Sequence, residues 1–163
     1  MDIKIYPDPV LLKNCESVEK VDDNFISTVS MMVHTMRAAE GIGLAAPQVG
    51  ILERFFVCLD FDDENKEKTI VLINPEITKM EGRIESKEGC LSIPGYYEYV
   101  YRYEKIEIKA YDLTGKEVIY VPDGIQSVVF QHEFDHLDGI LFPERMSQIK
   151  KDIFMKKINK EFK

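Results

Sequence analysis

Asp123-Gly124-Ile125-Gln126-Ser127-Val128-Val129-Phe130-Gln131-His132-Glu133-Phe134-Asp135-His136-Leu137-Asp138 carries the reading of this chain. Asp123 is a residue type that caps helices, and Ile125, Val128, Val129 and Phe130 are its apolar positions, so the stretch predicts a helix over about 124–138. Its second half reads His-Glu-x-x-His. Residues four apart on a helix share a face, so His132 and His136 can grip one metal ion while Glu133 projects beside it as a proton acceptor. The spacing points to metal-assisted hydrolysis. Two ordinary histidines on a helix would be the simpler account, but two of only three histidines in the chain fall here.

Working outward, residues 105–111 alternate cleanly, with Ile106, Ile108 and Ala110 on one face and Glu107 and Lys109 on the other. Leu113-Thr114-Gly115-Lys116 reads as a turn, and 117–121 as the returning strand. Residues 54–59 and 69–73 are apolar and β-prone, and Asp62-Asp63-Glu64-Asn65-Lys66 between them predicts the loop of a hairpin. Asp22-Asp23-Asn24 offers caps for a helix over 25–40 in which Ile26, Val29, Val33 and Met36 recur at helical spacing, and Gly41 supplies a stop. Ser147 is placed to cap a last helix, 147–162, containing Ile149, Ile153, Phe154, Ile158 and Phe162. These elements predict an α+β fold: antiparallel or mixed β-sheets packed around a central His-Glu-x-x-His helix, with an N-terminal and a C-terminal helix, in a single domain spanning 1–163.

Composition narrows the class. At 163 residues, 45% hydrophobic and 31% charged, the chain can bury a core and is not disordered. No apolar run is long enough to span a bilayer, and Met1-Asp2-Ile3-Lys4-Ile5-Tyr6-Pro7 lacks a basic-then-apolar signal pattern, so the expectation is a cytoplasmic protein without membrane contact. Cys15, Cys58 and Cys90 are an odd, widely spaced set that makes a poor disulfide framework. A net charge of −8 argues against DNA or broad nucleic-acid binding. Residues 143–163 nevertheless carry seven basic and three acidic residues, either a solvated helix face or a docking element for RNA.

A hydrolytic metal site needs a third protein ligand. In the pattern HExxHxxGxxH it is a later histidine; here Gly139 is kept, but Phe142 stands where that histidine would be, and phenylalanine ligates nothing. Cys90 is the best remaining donor, in Glu88-Gly89-Cys90-Leu91-Ser92, beside a glycine and outside any apolar pattern. Cys58 sits in an apolar run and reads as a core thiol, Cys15 has no supporting context, and His34 lies on the first helix as a structural residue. Cys90, His132 and His136 would leave a fourth position for water and suit Zn²⁺, Fe²⁺, Co²⁺ or Ni²⁺.

Three segments now stand together: Gly41-Ile42-Gly43-Leu44-Ala45-Ala46-Pro47-Gln48, Glu88-Gly89-Cys90-Leu91-Ser92 and Gln131-His132-Glu133-Phe134-Asp135-His136-Leu137. In order, spacing and chain length they resemble the peptide deformylases, with motifs GxGLAAxQ, EGCLS and QHExDHLxG, and Tyr6-Pro7-Asp8-Pro9-Val10-Leu11 resembles that family's opening. The Pro94-Gly95-Tyr96-Tyr97 stretch and helical C-terminus look like the compact bacterial class. The resemblance implies a metal-dependent hydrolase that removes the N-formyl group from the N-terminal methionine of newly synthesised polypeptides, releasing formate. It implies that Cys90, His132 and His136 bind the metal (Fe²⁺ in the cell, with Zn²⁺, Ni²⁺ or Co²⁺ as substitutes) and that Glu133 is the general acid/base. It also makes the Gln48 amide and the Leu91 N–H the oxyanion donors, and sets Gly43 against the formamide. Ile42, Ile125, Val128 and Val129 are placed as the methionine slot, and Gly89 and Tyr97 against the peptide. Glu88, Arg102 and Asp135 are expected to stiffen the Cys90 loop. N-formylmethionyl nascent peptides are the expected partners, and the basic C-terminal helix is a candidate for docking on ribosomal RNA. An endopeptidase would use the same chemistry with a different pocket. A non-enzymatic domain with a structural Cys-His-His site would need neither Glu133 nor Gln48.

Overall fold

The computed structural model describes residues 1–61 and 67–162; the loop expected over 62–66 falls outside them. In chain order the helices are α1 (Asp23–Ala38), α2 (Gly124–Leu137) and α3 (Gln148–Glu161). The strands are β1 (Gly43–Ala45), β2 (Phe55–Phe61), β3 (Glu67–Glu81), β4 (Ile84–Cys90), β5 (Ile93–Arg102), β6 (Lys105–Tyr111) and β7 (Glu117–Tyr120). The fold is α+β. Among the described residues, β1-β2-β3-β6-β7 form one antiparallel sheet in that order, and β4-β5 a second, separate hairpin.

The large sheet is covered on both faces, as its alternation requires. Phe56, Cys58, Leu72, Ile106, Ile108 and Ala110 meet Val129, Phe130 and Leu137 of α2. Phe55, Val57 and Ile73, pointing the other way, meet Val29, Met32 and Met36 of α1. A third cluster, with Leu11, Ile93, Val100, Phe142, Phe154 and Ile158, joins the β4-β5 hairpin to α3. Helix α2 is therefore enclosed between the two sheets, packing on β1, β2, β4 and β6.

Several local expectations are corrected. The buried stripe of α1 is Phe25, Val29, Met32 and Met36; Ile26 is exposed and Val33 only partly covered. Phe25 sets this phase by packing its ring, tilted by 60°, against that of Phe55 at 4.7 Å. Asp22 does cap α1, accepting from the Phe25 N–H at 3.0 Å, whereas Asp123 and Ser147 occupy the N-cap positions of α2 and α3 without a side-chain bond. The left-handed residue that ends α1 is Glu40 (φ 54), not Gly41. Gly41 is needed one place later, because a Cβ there would lie 2.7 Å from the Leu91 side chain.

Strand β3 runs eight residues beyond the apolar stretch that announced it. The extension was hidden by a register shift between Ile73 and Glu76, where Asn74 takes φ 50 and Pro75 gives up a ladder N–H. Strands β4 and β5, which the sequence pattern did not announce, form a full hairpin. Its β4 strand buries Ser86 and Glu88 instead of apolar residues, so no hydrophobic alternation marked it.

Candidate metal centre and substrate cleft

Helix α2 brings its histidines to the seam between the two sheets. It ends just after them with Gly139 (φ 69), whose N–H donates to His136 O at 3.1 Å while the Ile140 N–H donates to Asp135 O at 2.9 Å. This pair of bonds satisfies the last carbonyls of the helix. Gly139 is also obligatory sterically, since a Cβ would lie 2.7 Å from the Leu12 carbonyl. The glycine that the peptidase pattern shares thus has a capping role here. Phe142 is fully buried, with its ring roughly parallel to that of His132 at 6.3 Å, so the position of the absent histidine is filled by packing.

The third donor comes from the end of β4. The donor atoms of Cys90, His132 and His136 all lie within 4.8 Å of one another, the only such group among the described residues. Cys90 Sγ is 3.3 Å from His136 Nε2. Donors at about 2.0–2.3 Å from a tetrahedral ion stand roughly 3.5 Å apart, so a thiol and two imidazoles at these separations fit a single divalent cation. Cys15 and Cys58 are elsewhere in the core, and burial pushes their thiols up, Cys15 to about 11 and Cys58 well above its ordinary value. His34 is exposed on α1 and belongs to no such group.

The donors are held from behind. His132 Nδ1 pairs with Glu88 Oε2 at 2.8 Å, which leaves Nε2 for the donor side. Glu88 in turn receives both forks of Arg102, at 2.7 and 2.9 Å. Burial would raise the Glu88 carboxyl, but Arg102 and His132 outweigh it and hold it down at about 2. Burial likewise opposes the charged form of His132, and hydrogen bonds to Cys90 and Glu88 reverse this, so its imidazole sits well above the usual range. His136 has no such counter-charge. Burial, then the neighbouring His132, depress it well below the ordinary histidine value. Its Nδ1 is buried without a partner.

Glu133 shares this lack of a partner and carries a titratable carboxyl. It is buried, its Oε2 has no hydrogen-bond partner, and burial lifts its carboxyl to about 7. Gly43 on β1 makes room for it: a Cβ there would lie 2.4 Å from Glu133 Oε1. Gln48 is fixed through its Oε1, which accepts from the Ala45 N–H at 2.9 Å, so its amide nitrogen is aimed at Cys90 Sγ (3.4 Å) and Ser92 Oγ (3.2 Å).

A cleft of about 490 Å³ opens onto this group. It is within the range of small-ligand sites. Ile42, Gly43, Gly89, Leu91, Tyr97, Ile125, Val128 and Val129 all line it, together with Gln48, Cys90, His132 and Glu133; His136 lies just behind the lining. Ile125 and Tyr97 are each 64% exposed, as expected of residues on the rim of an open cleft, while Val128 and Val129 are buried in its floor. Sequence reading missed Ser92, the second anchor of the Gln48 amide, although it stands in a segment already singled out. It also missed Arg145, which was counted only as one charge in a basic run but lies against Asp135 on the back of α2.

Comparison with known proteins agrees with this geometry. The family model for polypeptide deformylases matches residues 1–152. The chain belongs to the peptide deformylase family. A peptide deformylase of Thermodesulfovibrio yellowstonii is 45% identical over 157 residues, 96% of this chain and 95% of its own. The solved peptide deformylase of Thermus thermophilus superposes with a TM-score of 0.90 at 41% identity, covering 98% of this chain and 93% of that one. That of Ehrlichia chaffeensis, determined in complex with actinonin, gives 0.89 at 36% identity, covering 99% and 96%. The reaction is removal of the N-formyl group from nascent peptides. The buried Cys-His-His group is one that can bind a single metal ion, as the metal-dependent mechanism typical of this family requires. No helix among the described residues is long and apolar enough to cross a membrane.

Proposed function

We propose that the cleft carries out deformylation on N-formylmethionyl peptides with Cys90, His132 and His136 as the ligands of one Fe²⁺, for which Zn²⁺, Ni²⁺ or Co²⁺ can substitute. The supporting observation is the juxtaposition of three mutually adjacent donors with Glu133, whose Oε2 has no partner, at a cleft that Cys90, His132 and Glu133 line. A divalent ion there would lower the pKa of bound water and polarise the formyl carbonyl.

The chain's own residues then have these roles. Glu133 takes the proton of the attacking water, and its carboxyl, raised by burial to about 7, is matched to accept and then return a proton near neutral pH. The same group delivers that proton to the departing methionine amine as formate leaves. The Gln48 amide and the Leu91 N–H hold the oxygen on which charge develops; for this Gln48 gives up its 3.4 Å contact to sulfur, a weak acceptor. Gly43 and Gly89 let the peptide backbone approach closely. Ile42, Ile125, Val128 and Val129 seat the methionine thioether, and Tyr97 at the rim meets later residues.

Residues 1–163 act as one catalytic domain in this reading, cytoplasmic like its nascent substrates, with 147–162 as the C-terminal helix. That helix leaves Ile149 and Ile153 exposed among Lys150, Lys156, Lys157 and Lys160, which suits docking on ribosomal RNA. Truncation of 150–163 should then weaken ribosome association in a salt-dependent manner.

The deciding experiment is Glu133→Ala, purified anaerobically and assayed on a formyl-Met peptide alongside metal analysis. Retained metal with lost deformylation is expected, and near-normal turnover would overturn the assignment. Chelation should abolish activity of the unsubstituted enzyme and added Fe²⁺ or Co²⁺ restore it. By similarity to the Ehrlichia chaffeensis protein, actinonin is expected to compete for the same cleft.

A further inference from the structure

The Glu88–Arg102 pair does not end the chain of contacts behind His132. Arg102 uses Nε and Nη2 for Glu88 and sends Nη1 to Asp135 Oδ2 at 2.5 Å. Asp135 lies on α2 between the two histidines and is itself gripped by both forks of Arg145, Nε at 2.9 Å to Oδ2 and Nη2 to Oδ1. Five side chains thus run without a break from the far side of α2 to the donor group: Arg145, Asp135, Arg102, Glu88, His132. Their formal charges alternate along the run until the imidazole.

We infer that Arg145 is a positioning residue for the metal centre, acting through Asp135, Arg102 and Glu88 on the His132 ring. The inference rests on the metal reading above. Three features carry it. Arg102 is almost wholly buried and divides three N–H groups between two carboxylates, so whatever Asp135 does is felt by Glu88. Arg145 restrains Asp135 by a planar two-point grip that fixes the carboxylate's orientation as well as its position. Arg145 also ends the short turn Phe142–Arg145, whose first residue packs along the His132 ring, so this turn reaches the same histidine by packing and by charge. Without Arg145, Asp135 would draw on Arg102 alone, and Arg102 would turn toward it at the expense of Glu88.

Arg145 is approached from solvent through a second cleft of about 510 Å³ on the back of α2, which Arg102, Gln131 and Asp135 also line. Its side chain is 42% exposed, so it can be replaced without opening the core. A merely structural bridge here would change the melting temperature and nothing at the donors. The test therefore reads the donors directly. The full chain is loaded with Co²⁺, its visible absorption recorded, and the rate of Co²⁺ transfer to a chelator measured for the unsubstituted protein, Arg145→Ala and Arg145→Lys. Lys79→Ala, which removes an exposed ion pair with Glu107, serves as control.

Arg145→Ala should shift the Co²⁺ band and release the ion several-fold faster. The size is on the order of threefold to tenfold, at or below the 10–100-fold typical of groups that touch a ligand directly. Arg145→Lys, which keeps the charge but cannot grip both oxygens at once, should fall between; Lys79→Ala should match the unsubstituted protein. An unchanged band and release rate in Arg145→Ala, whatever its melting temperature, overturn the inference. If Arg145→Ala does not fold, Arg145→Lys decides the matter in the same way. Failure of the unsubstituted protein to take up Co²⁺ overturns the metal reading together with this one, whereas uptake without an effect of Arg145 overturns this one alone.

Discussion

Glu133 and Asp135 stand two residues apart on α2, and each is 5% exposed. The structure treats them in opposite ways. Asp135, on the back of the helix, is met by two guanidinium groups, one of them buried. Glu133, on the front, keeps one oxygen without any partner, and burial raises its carboxyl to about 7. Burial depth therefore does not separate a carboxylate that fixes structure from one that does chemistry. Compensation does: a fully paired carboxylate has its charge already met by the protein, and a buried one with an oxygen left unpaired is destabilised until something in the cleft, a proton or a water, engages it.

The sharpest way to break this contrast is to neutralise each acid in turn. Glu133→Gln should lower deformylation by roughly 10²–10⁴-fold, the usual contribution of a positioned general base. Its unfolding free energy should stay level or rise, because an uncompensated buried carboxyl is removed; urea titration and a formyl-peptide assay on one preparation check both. Asp135→Asn should do the reverse to stability. It strips a charge partner from buried Arg102 and is expected to cost about 3–5 kcal/mol. A stable Asp135→Asn protein, or a strongly destabilised Glu133→Gln one, would mean that the two carboxylates do not differ as their contacts say. Next in size is Gln48→Leu, which removes one donor aimed at developing charge and should lower kcat by about 10²–10³-fold while metal content holds. Its binding of the ground-state peptide should change little.

The same contrast explains what could be read from residues alone. The front of α2 was legible because its chemistry has a fixed spacing: His132 and His136 four apart, Glu133 between them, and Cys90 and Gln48 in motifs that a resemblance could carry. The back was only partly legible. Glu88, Arg102 and Asp135 could be suspected of pairing, but Arg145 is joined to Asp135 by a turn ending α2 at Gly139, and no periodicity encodes that return. The strands divide in the same way. β6 was visible from its alternation because it buries Ile106, Ile108 and Ala110. β4 was not, because it buries Ser86 and Glu88, the latter paired with His132, where a strand would ordinarily bury apolar side chains. The extension of β3 was lost at the irregularity of Asn74 and Pro75. That irregularity has its own use: the Asn74 side chain holds both the N–H and the C=O of Val18, at 2.8 and 3.0 Å, and so ties the N-terminal segment to the sheet.

The smallest effects concern the edge of the front face, where α2 passes from cleft to core. Ile125 and Val128 are one helical turn apart and both line the cleft, yet Ile125 is 64% exposed and Val128 5%. Apolar side chains at this spacing are ordinarily read as one core stripe. If the stripe were core throughout, truncation of either would cost stability in the same manner. The cleft reading separates them. Ile125→Ala should leave the melting temperature within about 1–2 °C, since exposed substitutions usually stay within roughly ±0.5 kcal/mol. It should raise KM for a formyl-Met peptide by a few-fold, the loss of a little apolar contact. Val128→Ala should cost about 1 kcal/mol of stability through the space it leaves, and lower activity by a similar small factor. Equal stability losses with unchanged KM for Ile125→Ala would return that residue to the core stripe and move the methionine slot onto Ile42, Val128 and Val129 alone.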